Sequence, residues 1–316
     1  MRTILFFLLY SALVSSSRRA LILQARSSGE AQCHHILHSG GRCRILLVHV
    51  HKSGGSTLCA LAAANHQSVD FSENCQEQRN LMWHTKAATE QSRMLETSKH
   101  DFIAQEDVPL IDPPLPGKPS LFVISVRYPL DRILSHFRHH RRDGKLTNFS
   151  FSSFAARSAR ERDKEDYWAA NWYVQLLGSP TETNMVHGER SNETSMNTGC
   201  FGEGFRCTEK NLENALMKLE TFFSLVLIVD SSEHFRVAGH MLRRKFGWRA
   251  DWNTDASRRG TKVSSSAAEE LTENYKGYQL LLRQNNLDMR FCKKSLLSFS
   301  LFLISISHQI HLTFYR

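Results

Sequence analysis

Three times along the chain, a short and nearly continuous apolar run is followed by a turn and then by residues with helical periodicity. The apolar runs are Ile45–Val50, Leu121–Val126 and Phe222–Val229. Buried parallel strands that feed crossover helices have this pattern, because both faces of such a strand are covered. The pattern therefore predicts an α/β, P-loop-like three-layer fold with a mainly parallel central sheet flanked by helices, and ligand sites at the carboxyl ends of the strands.

The residues after each apolar run suit the start of a helix. The predicted helices are Ser56–Ala64, Leu130–His140 behind Pro129, and a third that follows the polar cluster Asp230–Ser232 and continues to about Phe246. Proline suits a first helical turn because its missing N–H has no intrahelical partner there, and Asp and Ser are good N-caps. Each strand is therefore predicted to lead directly into a helix.

The segments between these units divide into helical and exposed parts. Residues 150–178 have helical character, and Leu212, Ala215 and Leu219 recur at the spacing of a buried helix face. Residues 179–207 are rich in Ser, Thr, Asn and Gly, which predicts a long exposed insertion.

The chain begins with the layout of a secretory signal. Met1 and Arg2 precede an apolar run over residues 4–14, and small polar residues and the basic pair Arg18–Arg19 follow it. The run is shorter than the ~20 apolar residues of a membrane-spanning helix. Residues 1–19 are therefore predicted to be a signal peptide or a short uncleaved signal anchor, and the protein to lie in the Golgi membrane or lumen, or to be secreted.

The rest of the chain is predicted to contain one folded domain. Residues 20–43 are small and polar and are predicted to form a stem or linker before a domain that spans residues 44–294. Residues 295–316 form an apolar tail. Three explanations of the tail stay open: a second short membrane-associated segment, a buried strand, or an erroneous gene end.

Seven cysteines fit an oxidising compartment, and their odd number leaves one free or intermolecular. Cys200 and Cys207 bracket a Gly-rich segment, which predicts a local disulfide that closes this loop. No cysteine pair has zinc spacing, and no metal site is expected. Two sequons predict N-glycosylation at Asn148 and Asn192 if these residues face the lumen.

The charge balance indicates an anionic partner. A formal net charge of +9 in 316 residues favours a nucleotide, a phosphate, an acidic polysaccharide, a nucleic acid or a membrane surface. No RNA- or DNA-binding signature surrounds the basic run Arg138–Arg142. A nucleic-acid partner is therefore not expected.

The loop after the first predicted strand has the parts of an anion site. Lys52 and Ser53 precede Gly54 and Gly55, and the hydroxyl residues Ser56 and Thr57 open the helix. The glycines permit a tight turn, the helix N-terminus presents N–H groups, and the lysine adds a positive charge. This is not the Walker A order, in which the lysine follows the glycines.

A second anion site is predicted where the second strand ends. Arg127 can pair with a phosphate through its forked guanidinium, and Ser135 on the following helix can supply a hydroxyl to the same group. Two anion sites at two strand ends predict a nucleotide that carries two separate phosphate groups.

Both segments resemble the motifs of a known family, the Golgi carbohydrate sulfotransferases that use 3′-phosphoadenosine-5′-phosphosulfate (PAPS), and within it the heparan sulfate 2-O and 6-O type. Val48–Leu58 is similar to their 5′-phosphosulfate loop, and Val126–Phe137 is similar to their 3′-phosphate segment. Weaker similarity runs through Asn171–Gly178 and Asn285–Asp288, so the resemblance covers residues 44–292.

The resemblance implies that the chain transfers a sulfuryl group from PAPS to a glycan hydroxyl and releases 3′-phosphoadenosine 5′-phosphate (PAP), without a metal. It implies that Lys52 stabilises the departing phosphate and that the loop through Leu58 binds the nucleotide. The family also implies a general base, for which two residues stay open: His84, as in the 6-O type, or Glu106, as in members that use a glutamate.

The acceptor is expected to be an acidic polysaccharide. Arg138, Arg141 and Arg142 follow the 3′-phosphate segment and are candidates to bind it, and Trp168 and Trp172 are candidates to stack on a sugar. The sequence departs from the family pattern at Tyr128, where a short polar residue is usual, and in the apolar tail.

Two other functions remain open at the level of sequence. One is a phosphotransferase with a variant P-loop, which would need magnesium and a nucleoside triphosphate. The other is a non-catalytic relative that binds glycans. The lysine position counts against the first, and the presence of both anion motifs counts against the second.

Overall fold

The computed structural model of the chain describes residues 29–70, 75, 93, 96–106, 119–145, 150–156, 171–178, 207–249 and 275–296. The remaining residues include His84, Asn148, Trp168, Asn192 and Cys200, so the predictions made for them lie outside the described part of the chain.

A parallel sheet forms the centre of the described structure. Its strands are β1 (Arg44–His49), β2 (Phe102–Glu106), β3 (Ser120–Val126) and β4 (Leu225–Ile228), in the order β2-β1-β3-β4, and every neighbouring pair is parallel. The prediction of an α/β fold with a parallel central sheet is confirmed. Three strands coincide with the apolar runs, whereas β2 was not predicted.

Helices connect and cover the strands. In chain order they are α1 (Gly55–Ala64), α2 (Pro129–Arg142), α3 (Phe151–Ala156), α4 (Trp172–Leu177), α5 (Glu209–Phe222), α6 (Ser232–Phe246) and α7 (Tyr275–Gln284). Residues 29–38 and 286–296 are helical as well. The three predicted strand-to-helix units are present, and Pro129 occupies the first turn of α2 as predicted.

The strand order creates a switch point beside β1. From β1 the chain passes to β2 on one side, and it then returns to β3 on the other side. In such sheets the connections diverge between the two strands and leave a crevice at their carboxyl ends, where ligands bind. The residues that follow β1 and β3 are the loop at Lys52 and the segment at Arg127, the two predicted anion sites.

The sheet positions these loops rigidly because it is buried on both faces. Every residue of β1 is buried. Leu47 of β1, Val123 of β3 and Leu227 of β4 belong to one hydrophobic core with the apolar faces of the covering helices. Parallel strands that are covered on both sides have this continuous apolar pattern. A second cluster lies where α2, α3 and α7 meet, around Phe137, Phe154 and Leu281.

The described part of the predicted stem belongs to the folded unit instead. Residues 29–38 are helical, and the Cys33–Cys43 disulfide joins the middle of this helix to the residue before β1. Cys33 is fully buried in the core, and Glu30 lies 3.5 Å from Lys245 of α6. The prediction of a linker through residue 43 is therefore wrong for residues 29–43, because a disulfide and buried packing hold them against the domain.

Disulfides indicate an oxidising compartment. The structure contains Cys33–Cys43 and Cys59–Cys75, and Cys207 is also disulfide-bonded. Among the described cysteines, Cys292 is free and buried. The odd count therefore leaves a free thiol, and the pairing of Cys207 with Cys200 stays a prediction. No helix within the described ranges is long and apolar enough to cross a membrane.

Candidate active site

The loop between β1 and α1 turns tightly through two left-handed residues. Lys52 has φ 65° and Gly54 has φ 84°, and the Ser53 N–H donates to the Val50 carbonyl at 2.9 Å. A left-handed conformation is unfavourable for a lysine and persists where the surroundings enforce it, which is common at binding loops. The turn brings Lys52 to the carboxyl end of β1 and points the first turn of α1 toward the switch point.

His49, the last residue of β1, binds the first residue of α1. The Gly55 N–H donates to His49 Nε2 at 3.0 Å, and both residues are buried. A Cβ at Gly55 would overlap the imidazole ring, whereas a Cβ at Gly54 would meet only Val229, at 3.6 Å or more. The close approach of ring and backbone therefore requires glycine at position 55, and the positive φ favours it at position 54.

We expect Gly55→Ala to destabilise the protein more than Gly54→Ala. The first change forces a methyl group against a buried ring, which costs about 1–3 kcal/mol or more. The second imposes only a left-handed alanine, which costs about 1–2 kcal/mol. Urea denaturation of both variants measures the difference, and equal midpoints would contradict the importance of the His49 contact.

Arg127 joins the end of β3 to the end of β1. Its Nη1 donates to the backbone carbonyl of Lys52 at 3.3 Å, so the two predicted anion sites are in contact. Asp230, at the end of β4, accepts the Tyr128 N–H, and Ser231 rather than Asp230 caps α6 by accepting from the His234 N–H. Burial raises the pKa of Asp230. The ends of β1, β3 and β4 thus form one connected rim.

Tyr173 of α4 forms hydrogen bonds with both Arg127 and Ser53 in this rim. Its hydroxyl accepts the Arg127 N–H at 2.7 Å and donates to the Arg127 carbonyl at 2.9 Å. Ser53 Oγ lies 2.9 Å from the same oxygen, and it must be the donor because the one phenolic hydrogen is already committed. Burial raises the pKa of Tyr173, so the phenol stays protonated.

The helix at residues 286–296 holds α4 in place. The Asp288 carboxylate accepts the N–H groups of Tyr173 at 3.1 Å and of Val174 at 2.9 Å. In return, the Asn171 side chain accepts the N–H groups of Leu287 and Asp288, both at 3.1 Å. The segments 171–178 and 285–288 therefore bind each other, and a carboxylate from a distant part of the chain accepts the first N–H groups of α4.

Glu106 ends β2 on the other side of β1. It stands opposite His49 in the strand register, and its Oε1 lies 2.9 Å from His51 Nδ1 and 3.4 Å from His49 Nδ1. Burial lowers the pKa of both histidines, and the positive charge of Lys52 lowers it further. Glu106 is therefore a neighbour of the Lys52 loop.

Helix α2 adds histidines and arginines beside this carboxylate. The His51 ring lies 5.1 Å from His136 and 6.0 Å from His139, centroid to centroid. Burial lowers the pKa of His51 to about 4 and lowers that of His136 further, so both rings are neutral at physiological pH. Toward the end of α2, Arg141 and Arg142 are exposed and Arg138 is half-buried.

Three predicted site residues are engaged in packing instead. Ser53 is fully buried, and both its hydroxyl and its N–H donate within the protein. Leu58 lies in the hydrophobic core, and Trp172 is fully buried, as is every residue of α4. The predictions that Ser53 and Leu58 bind the nucleotide and that Trp172 stacks on a sugar are wrong. All three side chains are buried, and the N–H groups of Ser53 and Leu58 donate to the carbonyls of Val50 and Gly54.

The other predicted ligand residues lie around the switch point. Lys52, Gly54 and Thr57 are half-buried and Ser56 is exposed, whereas the Gly55 N–H is taken by His49. Ser135 is half-buried in the second turn of α2. Sequence reasoning missed His51, Tyr173, Asp230 and Asp288, whose positions depend on contacts between distant segments.

Comparison of the chain with protein-family models finds no match, and no curated protein matches it.

Proposed function

We propose that the chain is a PAPS-dependent sulfotransferase with a P-loop-like three-layer fold. The observation that carries this proposal is the hydrogen bond between Arg127 and the Lys52 carbonyl, at the switch point of a parallel sheet. Two cationic strand ends in contact suit one nucleotide with two phosphate groups. PAPS has this arrangement, with a 3′-phosphate and a 5′-phosphosulfate.

Each end of the nucleotide has residues of matching chemistry. The 5′-phosphosulfate would lie on Lys52 and on the N–H groups of Gly54, Ser56 and Thr57, where the helix dipole of α1 also favours an anion. The 3′-phosphate would pair with Arg127. The Arg127 side chain is half-buried, and its guanidinium carries further N–H donors besides the one that the Lys52 carbonyl accepts.

The proposed reaction is an in-line displacement at sulfur. The acceptor oxygen forms a bond to sulfur while the bond between sulfur and the 5′-phosphate oxygen breaks, and the electron pair of that bond stays on the phosphate. Lys52 stabilises this growing negative charge, and Glu106 removes the proton of the acceptor hydroxyl. The position of Glu106 beside the Lys52 loop supports its assignment as the base, and His84, which lies outside the described residues, stays the alternative.

An acidic polysaccharide is the acceptor that the surface of α2 favours. Arg138, Arg141 and Arg142 lie on the helix that also carries Ser135 and whose histidines pack on His51. A positive surface beside the site raises the local concentration of an anionic substrate. The disulfides agree with an enzyme of the secretory pathway, and we propose the Golgi as its location, with residues 1–19 as a signal or anchor.

A thermal-shift titration tests the proposed nucleotide. PAP, AMP, and ATP with magnesium are added separately to the purified lumenal chain. A ligand that binds only the folded state adds about 2.7 kcal/mol of stability at a concentration of about 100 Kd. We expect PAP to stabilise the protein more than AMP does, because Arg127 binds the extra 3′-phosphate.

Matched variants decide which residues are responsible. Arg127→Gln should remove the difference between PAP and AMP. Arg249→Gln should retain it, because the Arg249 N–H binds Asn65 at the far end of α1, away from the site. Stabilisation by ATP with magnesium and not by PAP would instead indicate a phosphotransferase, and stabilisation by none of the nucleotides would overturn the proposal.

A further inference from the structure

Two imidazole rings contact the same carboxylate oxygen of Glu106. Oε1 lies 2.9 Å from His51 Nδ1, which is a hydrogen-bond distance, and 3.4 Å from His49 Nδ1, which is a looser approach. His49 ends β1, and His51 follows two residues later in the loop that carries Lys52. The orientation of the carboxylate is therefore linked to the nucleotide loop.

The tautomers of both rings follow from their other contacts. His49 accepts the Gly55 N–H at Nε2, and burial lowers its pKa, so the neutral ring carries its hydrogen on Nδ1, toward Glu106. His51 is neutral as well, and a neutral ring at 2.9 Å from a carboxylate oxygen must present N–H and not a lone pair. Both rings thus offer hydrogens to Glu106.

We propose that His51 is a positioning residue for Glu106, which it holds beside Lys52 by donating its Nδ1–H to Oε1. The inference rests on the proposed function, in which Glu106 is the base. His51 itself is a poor candidate for the base, because its Nε2 is buried from solvent and its ring packs edge-on against His136. The side chains of His51 and Glu106 are similarly exposed, at 14% and 15%, so it is the burial of the Nε2 atom that counts against His51.

The groups that face His51 come from each element packed against it. They are Glu106 from β2, His49 and Lys52 from β1 and its loop, and His136 and His139 from α2. Within the described ranges these side chains do not form a group that could hold a metal ion. Of these groups, Glu106 favours a charged His51, and Lys52 and His49 oppose it.

Three substitutions separate the role of Nδ1 from that of the whole ring. In His51→Asn the amide nitrogen takes the position of Nδ1 and keeps the donor, whereas in His51→Gln it reaches the position of Nε2. His51→Leu removes both ring nitrogens. We expect the Leu and Gln variants to lose about 10²-fold in kcat, the effect of a displaced catalytic group, with an unchanged KM for PAPS, and Asn to restore most of kcat.

The pH profile gives a second readout that a merely structural role would not move. A hydrogen bond to the charged carboxylate lowers its pKa, so its loss should shift the acid limb of kcat to higher pH in the Leu and Gln variants and not in Asn. Because Asn and Gln are compared with each other, the test stands even if the Leu variant does not fold. Equal loss of activity in Asn and Gln, or full activity in Gln, would overturn the proposal.

A measurement without turnover separates this inference from the proposed function. The carboxyl carbon of Glu106 is titrated by NMR in the wild-type chain and in the Asn and Gln variants, and it is assigned with Glu106→Gln. We expect a higher pKa of Glu106 in His51→Gln alone, whichever group the enzyme transfers. An unchanged pKa in both variants would refute the role of His51, while PAP binding tests the sulfotransferase assignment independently.

Discussion

Replacement of Lys52 with methionine is expected to lower kcat for sulfuryl transfer by about 10²- to 10³-fold. Lys52 is the cation of the loop at the end of β1, and its left-handed backbone is fixed by the bonds of Ser53 on one side and Arg127 on the other. The charge on the departing phosphate oxygen grows only as the bond breaks, so the loss should fall on kcat more than on KM.

The control for this variant is Lys99→Met. It changes an exposed lysine just before β2, at the amino ends of the strands and away from the carboxyl ends that carry the site. Initial rates are measured with PAPS and desulfated acidic polysaccharides, and folding is followed by circular dichroism. Methionine keeps the aliphatic stem and removes only the charge. Activity of Lys52→Met within about tenfold of the control would show that the lysine does not stabilise the transition state.

The sequence predicted the framework of the site because its signals are local. The continuous apolar run of β1, the glycines of the loop and Pro129 of α2 each report on a backbone conformation within a few residues. Once two strands are parallel neighbours, their carboxyl ends meet at one edge, so contact between the Lys52 and Arg127 segments follows from topology.

The strand β2 was missed because it gives a weaker local signal. Phe102–Glu106 contains Ala104 and ends in two polar residues, and it is shorter than β1 and β3. The segment is recognisable as a strand only from its pairing with β1. This pairing brings Glu106 opposite His49, a residue far away along the chain. The candidate base could therefore be named from the motif, but its contact with His51 could not.

The burial of individual side chains could also not be predicted from a sequence motif. A loop sequence predicts where the backbone turns, but burial depends on which elements cover it. Ser53 faces inward because Tyr173 arrives from α4, and Leu58 faces inward because the buried face of α1 covers the sheet. Trp172 follows a left-handed Asn171 that directs α4 into the core.

The loop at Lys52 is supported by a series of contacts that begins at Asp288. Asp288 binds the first N–H groups of α4, α4 carries Tyr173, and the Tyr173 hydroxyl holds Arg127 and Ser53. Arg132 of α2 lies 5.7 Å above the Tyr173 ring and lowers the pKa of Asp288 against the larger effect of burial. The loss of any member should therefore affect both stability and nucleotide binding.

Asp288→Ala is expected to destabilise the protein by about 3 kcal/mol or more. The change removes the acceptor for two buried N–H groups of α4, and it also removes a negative charge near the fully buried Arg132, a class of change that costs about 3–5 kcal/mol. Asp143→Ala, at an exposed carboxylate, should cost less than about 1 kcal/mol. Urea denaturation at pH 7 measures both.

A double-mutant cycle shows whether the charge or the hydrogen bonds carry this effect. If Arg132 and Asp288 are coupled, Arg132→Met with Asp288→Ala should cost less than the two single changes together by about 0.5–3 kcal/mol, because neither charge is then left behind. Burial raises the pKa of Asp288 from 3.8 to about 6 on folding. Ionisation of Asp288 therefore lowers the free energy of unfolding of the wild-type chain as pH rises from 3.8 through 6. The stability lost in Asp288→Ala should accordingly be larger at pH 5 than at pH 7. An additive cost in the cycle would mean that the hydrogen bonds to α4 carry the effect without the charge of Arg132. A cost independent of pH would mean that the pKa of Asp288 is the same in the folded and the unfolded chain.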